Sequence, residues 1–250
     1  MSDPAKRFAA LIKRLKHEFE SSADAPADPG PSSLAEGDPV LDQAVFSFLL
    51  WETTTVQAQT GHKRLREAFV DLNELRVCFP EEICAAIGER FPRSRERSTR
   101  LRAVLNDIYR REHGLSLARL VDQPKREART YLESLEGMPM FVAARVALLC
   151  FGGHAVPVDE RLLAMLTAER AIEPDLNIEE AGGWIERQVR ANEAAATHLM
   201  LRRWADENGI ATKRGKAPRG GQESAAPAAS DGPEAKKPAK KKPSKPKASK

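Results

Sequence analysis

Cysteine is scarce and scattered. The 250 residues hold three, Cys78, Cys84 and Cys150, with no C-x-x-C pair and no regular spacing. That excludes a disulfide framework and a cysteine-held zinc or iron–sulfur centre, and leaves three thiols expected to be buried. Long apolar runs are missing too. Ala44–Trp51 and Val142–Gly153 are the longest, and both fall short of the ~18 residues a membrane-spanning helix needs. The charged start MSDPAKRF has no apolar signal core. There is no glycine-rich phosphate loop and no HExxH, so nucleotide-driven and zinc-hydrolase chemistry find no support and neither a metal nor a cofactor is expected. The expectation is a cytoplasmic protein without membrane contact. A composition of 41% hydrophobic and 30% charged residues is that of an ordinary globular protein, which disfavours wholesale disorder.

The net charge of +4 conceals an asymmetry. From Ala211 onward twelve basic side chains face three acidic ones, a surplus of nine, which leaves the rest of the chain at −5. Basicity therefore speaks for the tail and not for the folded body. The tail, AKKPAKKKPSKPKASK at its end, is too poor in apolar residues to bury a core. Its prolines prevent a helix, and Lys236, Lys237, Lys240, Lys241 and Lys242 are suited to neutralise phosphates without reading sequence. The bland alternative is a solubilising extension.

The remainder divides by composition. Residues 1–20 carry a helix, because Phe8, Leu11, Ile12, Leu15 and Phe19 recur at helical spacing with lysines and Arg14 on the other side. Residues 21–40, rich in Ser, Ala, Asp, Pro and Gly, read as a linker. Residues 41–207 form the body and 208–250 the tail. In the body one apolar stripe runs through Leu65, Ala68, Phe69, Leu72 and Leu75, and another through Leu101, Val104, Leu105 and Ile108 with its start near Ser98 or Thr99. Pro80 with Glu81 and Glu82 opens a short helix that stops at Gly88. Later stripes cover Ala128 to Leu135, Val142 to Phe151, Leu162 to Leu166, Trp184 to Val189 and Leu199 to Trp204. No stretch alternates as a strand does. The fold class is all-α.

One segment carries more than helix periodicity: residues 131–163, YLESLEGMPMFVAARVALLCFGGHAVPVDERLL. Two helices meet at a tight turn around Gly137, the second ends at Gly152-Gly153, and Val158-Asp159 opens a third. This resembles the helix-hairpin-helix DNA glycosylase superfamily typified by endonuclease III, whose members carry an L-P-G-V-G-x-K-x-A hairpin, an apolar helix ending in F-G and then a V-D pair. Leu135, Gly137, Ala143, Phe151-Gly152 and Val158-Asp159 fall in register. FSFLLWETTTVQ, residues 46–57, is similar to the family's early helix and damage-facing loop, and coverage extends over about residues 41–206.

The resemblance implies a two-lobed helical body in which the chain's two ends share one lobe, double-stranded DNA as partner and a monomer in base excision repair. It also implies a hairpin at Gly137, Met138 and Met140 whose N–H groups meet a phosphate, and Asp159 as the carboxylate that stabilises a developing sugar cation and orients water. Arg100, in the Arg-rich stretch 91–111, is a further candidate phosphate contact. Departures are equally specific. Phe141 occupies the position of the family's lyase lysine, and a phenyl ring cannot form a Schiff base. Pro139 replaces the hairpin's second glycine and removes a donor. The family's four-cysteine iron–sulfur loop is absent.

Each feature has a plainer reading. Asp before an apolar helix is a favoured cap, Gly137 suits any helix C-terminus, and the Arg-rich helix can be a solvated face because Glu96, Asp107 and Glu112 interrupt it. Three functions stay open: a monofunctional DNA glycosylase, a non-catalytic DNA-binding module on the same fold, and a nucleoid-associated protein that binds DNA through its tail.

Overall fold

In the computed structural model the described residues are 3–20, 34 and 37–208. The Lys-rich tail and most of the 21–40 linker, with the expectations attached to them, lie outside that set. Every regular element among the described residues is helical.

The first helix, α1 (Pro4–Glu20), turns Phe8, Leu11, Leu15 and Phe19 inward. α2 (Pro39–Leu50) is mostly apolar and buried from Val40 to its end, Asp42, Gln43 and Ser47 included, as befits a helix surrounded by protein. Asp38 fixes where α2 begins. One carboxylate oxygen accepts from the Val40 and Leu41 N–H groups at 3.0 and 2.9 Å, while the other accepts from the Leu117 and Ala118 N–H groups and the Ser116 hydroxyl. A single side chain thereby caps a helix and ties it to a 3-10 turn at Ala118–Asp122.

The apolar stripe from Leu65 to Leu75 belongs to two helices and not one, a correction to the periodicity. α3 (Thr55–Ala68) ends at Phe69 and α4 (Leu72–Val77) starts afresh. Val70 is 92% exposed between them, and local bonds compete with helix continuation: Asp71 accepts from Glu74 N–H at 2.8 Å and Glu74 accepts from Val70 N–H at 2.6 Å. α5 (Pro80–Ile87) stops at Gly88, whose φ of 104° suits glycine. α6 (Ser94–Glu112) begins a turn earlier than Ser98 or Thr99 suggests. Those two hydroxyls donate back to Ser94 and Arg95 carbonyls, so they are mid-helix residues, while Arg93 at φ 52° ends the preceding turn. α7 (Lys125–Glu133), α8 (Met140–Phe151), α9 (Glu160–Ala168), α10 (Ile178–Gln188) and α11 (Ala194–Asn208) complete the body.

Two cores form. One gathers α2 to α7 with Phe141, Val142, Ala143, Val146, Ala147 and Phe151 of α8. The other gathers α1, α9, α10 and α11 with Leu148 of the same helix. The chain's two ends thus meet in one lobe, with Phe8 edge-on to Trp184 at 5.6 Å. Trp51, Trp184 and Trp204 are all buried. The cysteines correct the expectation of buried thiols: each is half-buried and none is in a disulfide among the described residues.

Candidate functional site

The turn between α7 and α8 is moored on α6. Asp107 accepts from Glu136 N–H at 2.9 Å and pairs with Arg110 and Arg111, and Arg111 donates to the Ser134 carbonyl and hydroxyl at 2.8 and 2.7 Å. Burial pushes the Asp107 carboxyl up, but the bonds from Glu136, Arg111 and Arg110 outweigh it and hold the group below the usual carboxylate range. Met138 N–H closes the turn on Leu135 O at 3.1 Å. Gly137 has φ 83°, and a Cβ there would stand 3.3 Å from Arg100 O and from Ala103 Cβ, so the turn needs glycine for conformation and for space.

Gly137, Met138, Met140 and Arg100 come together in this way. Met140 is 46% exposed at the first turn of α8, Met138 packs half-buried on the α2–α7 core, and Arg100 backs the turn from α6. Pro139 has no N–H. The N–H groups of Gly137, Met140 and Phe141 have no acceptor among the described residues, so three donors at the hairpin are available to an anion.

Asp159 lies elsewhere, inside the protein. It is the N-cap of α9 and 1% exposed. One carboxylate oxygen accepts from Leu162 N–H at 2.9 Å, and the other accepts from Glu52 N–H and from Arg202 Nη1, each at 3.2 Å. Arg202, 8% exposed, also donates to Leu50 O and stands 3.6 Å from Asp206. Asp159 lines a cavity of about 10 Å³, walled by Phe141, Pro157, His198 and Arg202. That is about the space of one water molecule and far below that of a nucleoside. Phe141, 3% exposed, leans on His198 with ring centroids 6.4 Å apart and closes the approach from the hairpin side. In this arrangement Asp159 caps a helix and balances Arg202.

Over Asp159 sits a residue that the sequence did not single out. Glu52, in the loop between α2 and α3, is 7% exposed and holds φ 58°, a left-handed conformation that costs a non-glycine residue roughly 1–2 kcal/mol. Its Oε1 accepts from Glu160 N–H at 2.7 Å. The two carboxylates therefore share the N-terminus of α9. Burial, and then the charge of Asp159, push the Glu52 carboxyl up to about 7.

The same loop is held by arginines from three helices. Arg97 (α6) donates to Trp51 O at 2.6 Å, Arg202 (α11) to Leu50 O at 3.2 Å, and Arg161 (α9) to Thr53 O. Leu50 closes α2 and its carbonyl also takes the Thr53 N–H at 3.1 Å, while the Trp51 and Thr53 carbonyls belong to the loop that follows. Arg97 is fully buried, and burial pulls its guanidinium down to about 9. Thr53, Thr54 and Thr55 are also committed to structure: Thr53 bonds Leu49 O, Thr54 caps α3 in a reciprocal box with Gln57, and Thr55 N–H meets Asp206. One signal pointed here. Between residues 17 and 210 the chain uses arginine almost to the exclusion of lysine, with only Lys63 and Lys125, and arginine is the cation suited to buried pairs and carbonyl forks. His154, an exposed loop residue, has a ring nitrogen 2.9 Å from Val189 O and lies apart from the site.

Among the described residues no three His, Cys, Asp or Glu side chains converge as a metal site requires, and no helix is long and apolar enough to cross a membrane.

No family model and no curated protein matches the chain. Solved structures do. A trapped covalent intermediate of endonuclease III with DNA superposes with a TM-score of 0.59 at 15% identity, covering 81% of this chain and 85% of that one. A thermostable thymine-DNA glycosylase gives 0.54 at 18% identity over 80% and 86%. The 3-methyladenine DNA glycosylase of H. pylori, bound to 1,N6-ethenoadenine, gives 0.55 at 16% identity over 80% and 94%. At such identities the likeness concerns architecture, and on that footing this chain has the all-α helix-hairpin-helix fold of the DNA glycosylases.

Proposed function

We propose that this chain is a duplex-DNA-binding protein of base excision repair that uses the glycosylase scaffold for recognition and not for base removal. The observation that carries the reading is the enclosure of Asp159: 1% exposed, paired with a buried arginine, and lining a cavity of about the size of a water molecule. The free donors at Gly137, Met140 and Phe141 supply a phosphate contact that needs no chemistry. Phe141 removes the Schiff-base route as well. The protein acts as a monomer at the nucleoid, and the Lys-rich tail raises the local concentration of duplex at the hairpin.

The test is direct. Purified full-length protein should bind duplexes with an abasic site, mismatch or bend more tightly than regular duplex, and should release no base from a broad panel of lesions. Base release that disappears in Asp159→Asn would refute it and establish a second reading, a monofunctional glycosylase. One observation favours that second reading. A strained, buried Glu52 beside Asp159 is the kind of paired-carboxyl arrangement that acid–base chemistry employs.

A further inference from the structure

The α2–α3 loop carries a cluster of charge that neither the hairpin nor Asp159 explains. Arg93, Arg97 and Arg100 place their guanidinium carbons 5.1, 5.7 and 5.6 Å from the centre of one indole ring, that of Trp51. Three like charges around one ring repel one another, and the groups that offset them are carboxylates near solvent. Glu96 bonds Arg93 at 3.3 Å and Arg100 at 3.0 Å, and Glu160 bonds Arg93 at 2.6 Å. These are half-open pairs, with side-chain exposures of 32% for Arg93 and 58% for Glu160. Arg97, fully buried, leaves Nε and Nη1 without an acceptor among the described residues. A buried guanidinium with two idle donors is a poor choice for stability alone.

We infer that Arg93 and Arg100, set on Trp51 above the buried charge of Arg97, form a binding site for a backbone phosphate of duplex DNA, and that Glu160 and Glu96 occupy it in the free protein. The inference rests on the duplex-binding reading above and adds to it a second contact, on α6, distinct from the hairpin donors. An exposed Arg–Glu pair is weak because water and ions compete for both partners. A guanidinium–phosphate pair is short and bidentate, and it releases counterions from the duplex. Phosphate therefore displaces Glu160 from Arg93.

Affinity of the full-length protein for a fluorescent duplex, measured by anisotropy across salt, tests this. Arg93→Gln should weaken binding about fivefold and lower the slope of log K against log salt by about 0.9, one phosphate's worth. Glu160→Gln, which frees Arg93, should tighten binding about threefold with an unchanged slope, since one charge-assisted pair no longer competes. Wild-type binding with the same slope in Arg93→Gln, or no gain in Glu160→Gln, overturns the phosphate site while leaving the duplex-binding reading in place. Failure of the wild type to bind duplex at all overturns both.

Discussion

Replacing Asp159 by alanine separates a structural carboxylate from a catalytic one by stability alone. The substitution removes the α9 cap, worth about 1 kcal/mol, and leaves Arg202, 8% exposed, without its anion. Orphaning one partner of a buried pair costs about 3–5 kcal/mol. Two effects offset part of that. Arg202 keeps Leu50 O and the more distant Asp206, and Glu52 is relieved of a neighbouring charge. A net loss of roughly 3–5 kcal/mol follows, which for a domain of this size lowers Tm by roughly 8–15 °C. Asp159→Asn keeps the cap and an oxygen for Arg202 and should lose less, about 2 kcal/mol. Differential scanning calorimetry with urea denaturation measures both. A catalytic carboxylate held open for substrate behaves in the opposite way, since removing such a group is often neutral or stabilising. A Tm within about 2 °C of wild type in Asp159→Ala would refute the account of Asp159 as a sealed structural charge.

Other consequences can be checked on the same material. The Glu52 carboxyl is raised to about 7 from 4.5, so its stabilising contribution is complete below pH 4.5 and is lost as pH climbs through 7. Wild-type stability should thus fall by roughly 2–3 kcal/mol from this group over that window, and Glu52→Gln should remove the slope and be the more stable protein at pH 8. His198 titrates the other way. Burial, then Arg145 and Arg202, hold its imidazole well below the usual range, so its contribution is present above about pH 6.5 and is lost on acidification. With neither ring nitrogen partnered among the described residues, His198→Leu should flatten the acid limb of the stability profile at no cost at pH 7, as followed by circular dichroism. Gly137→Ala should lose about 1–2 kcal/mol from its positive φ and its approach to Arg100 O, and weaken binding to duplex in the same preparation.

The all-helical class was legible because apolar residues recur at helical spacing in nearly every element, and because Pro80, Gly88, Gly137 and Gly152 punctuate the chain where backbone conformation demands it. The hairpin and the V-D pair were legible as local pattern. The break at Val70 was not, since Asp71 and Glu74 override an intact apolar stripe through bonds that spacing does not register. Nor could the sequence show that Asp159 is enclosed. Its neighbours Glu52 and Arg202 lie 107 and 43 positions away along the chain, and only the packing of α2, α9 and α11 brings them together. Arginine preference over lysine hinted at interior cations without saying which carbonyls they serve.

Because α8 gives Phe141 and Val142 to one core and Leu148 to the other, neither lobe owns a complete interior. Heating should therefore dissolve the body in a single cooperative step, because loosening this one helix strips side chains from both interiors at once.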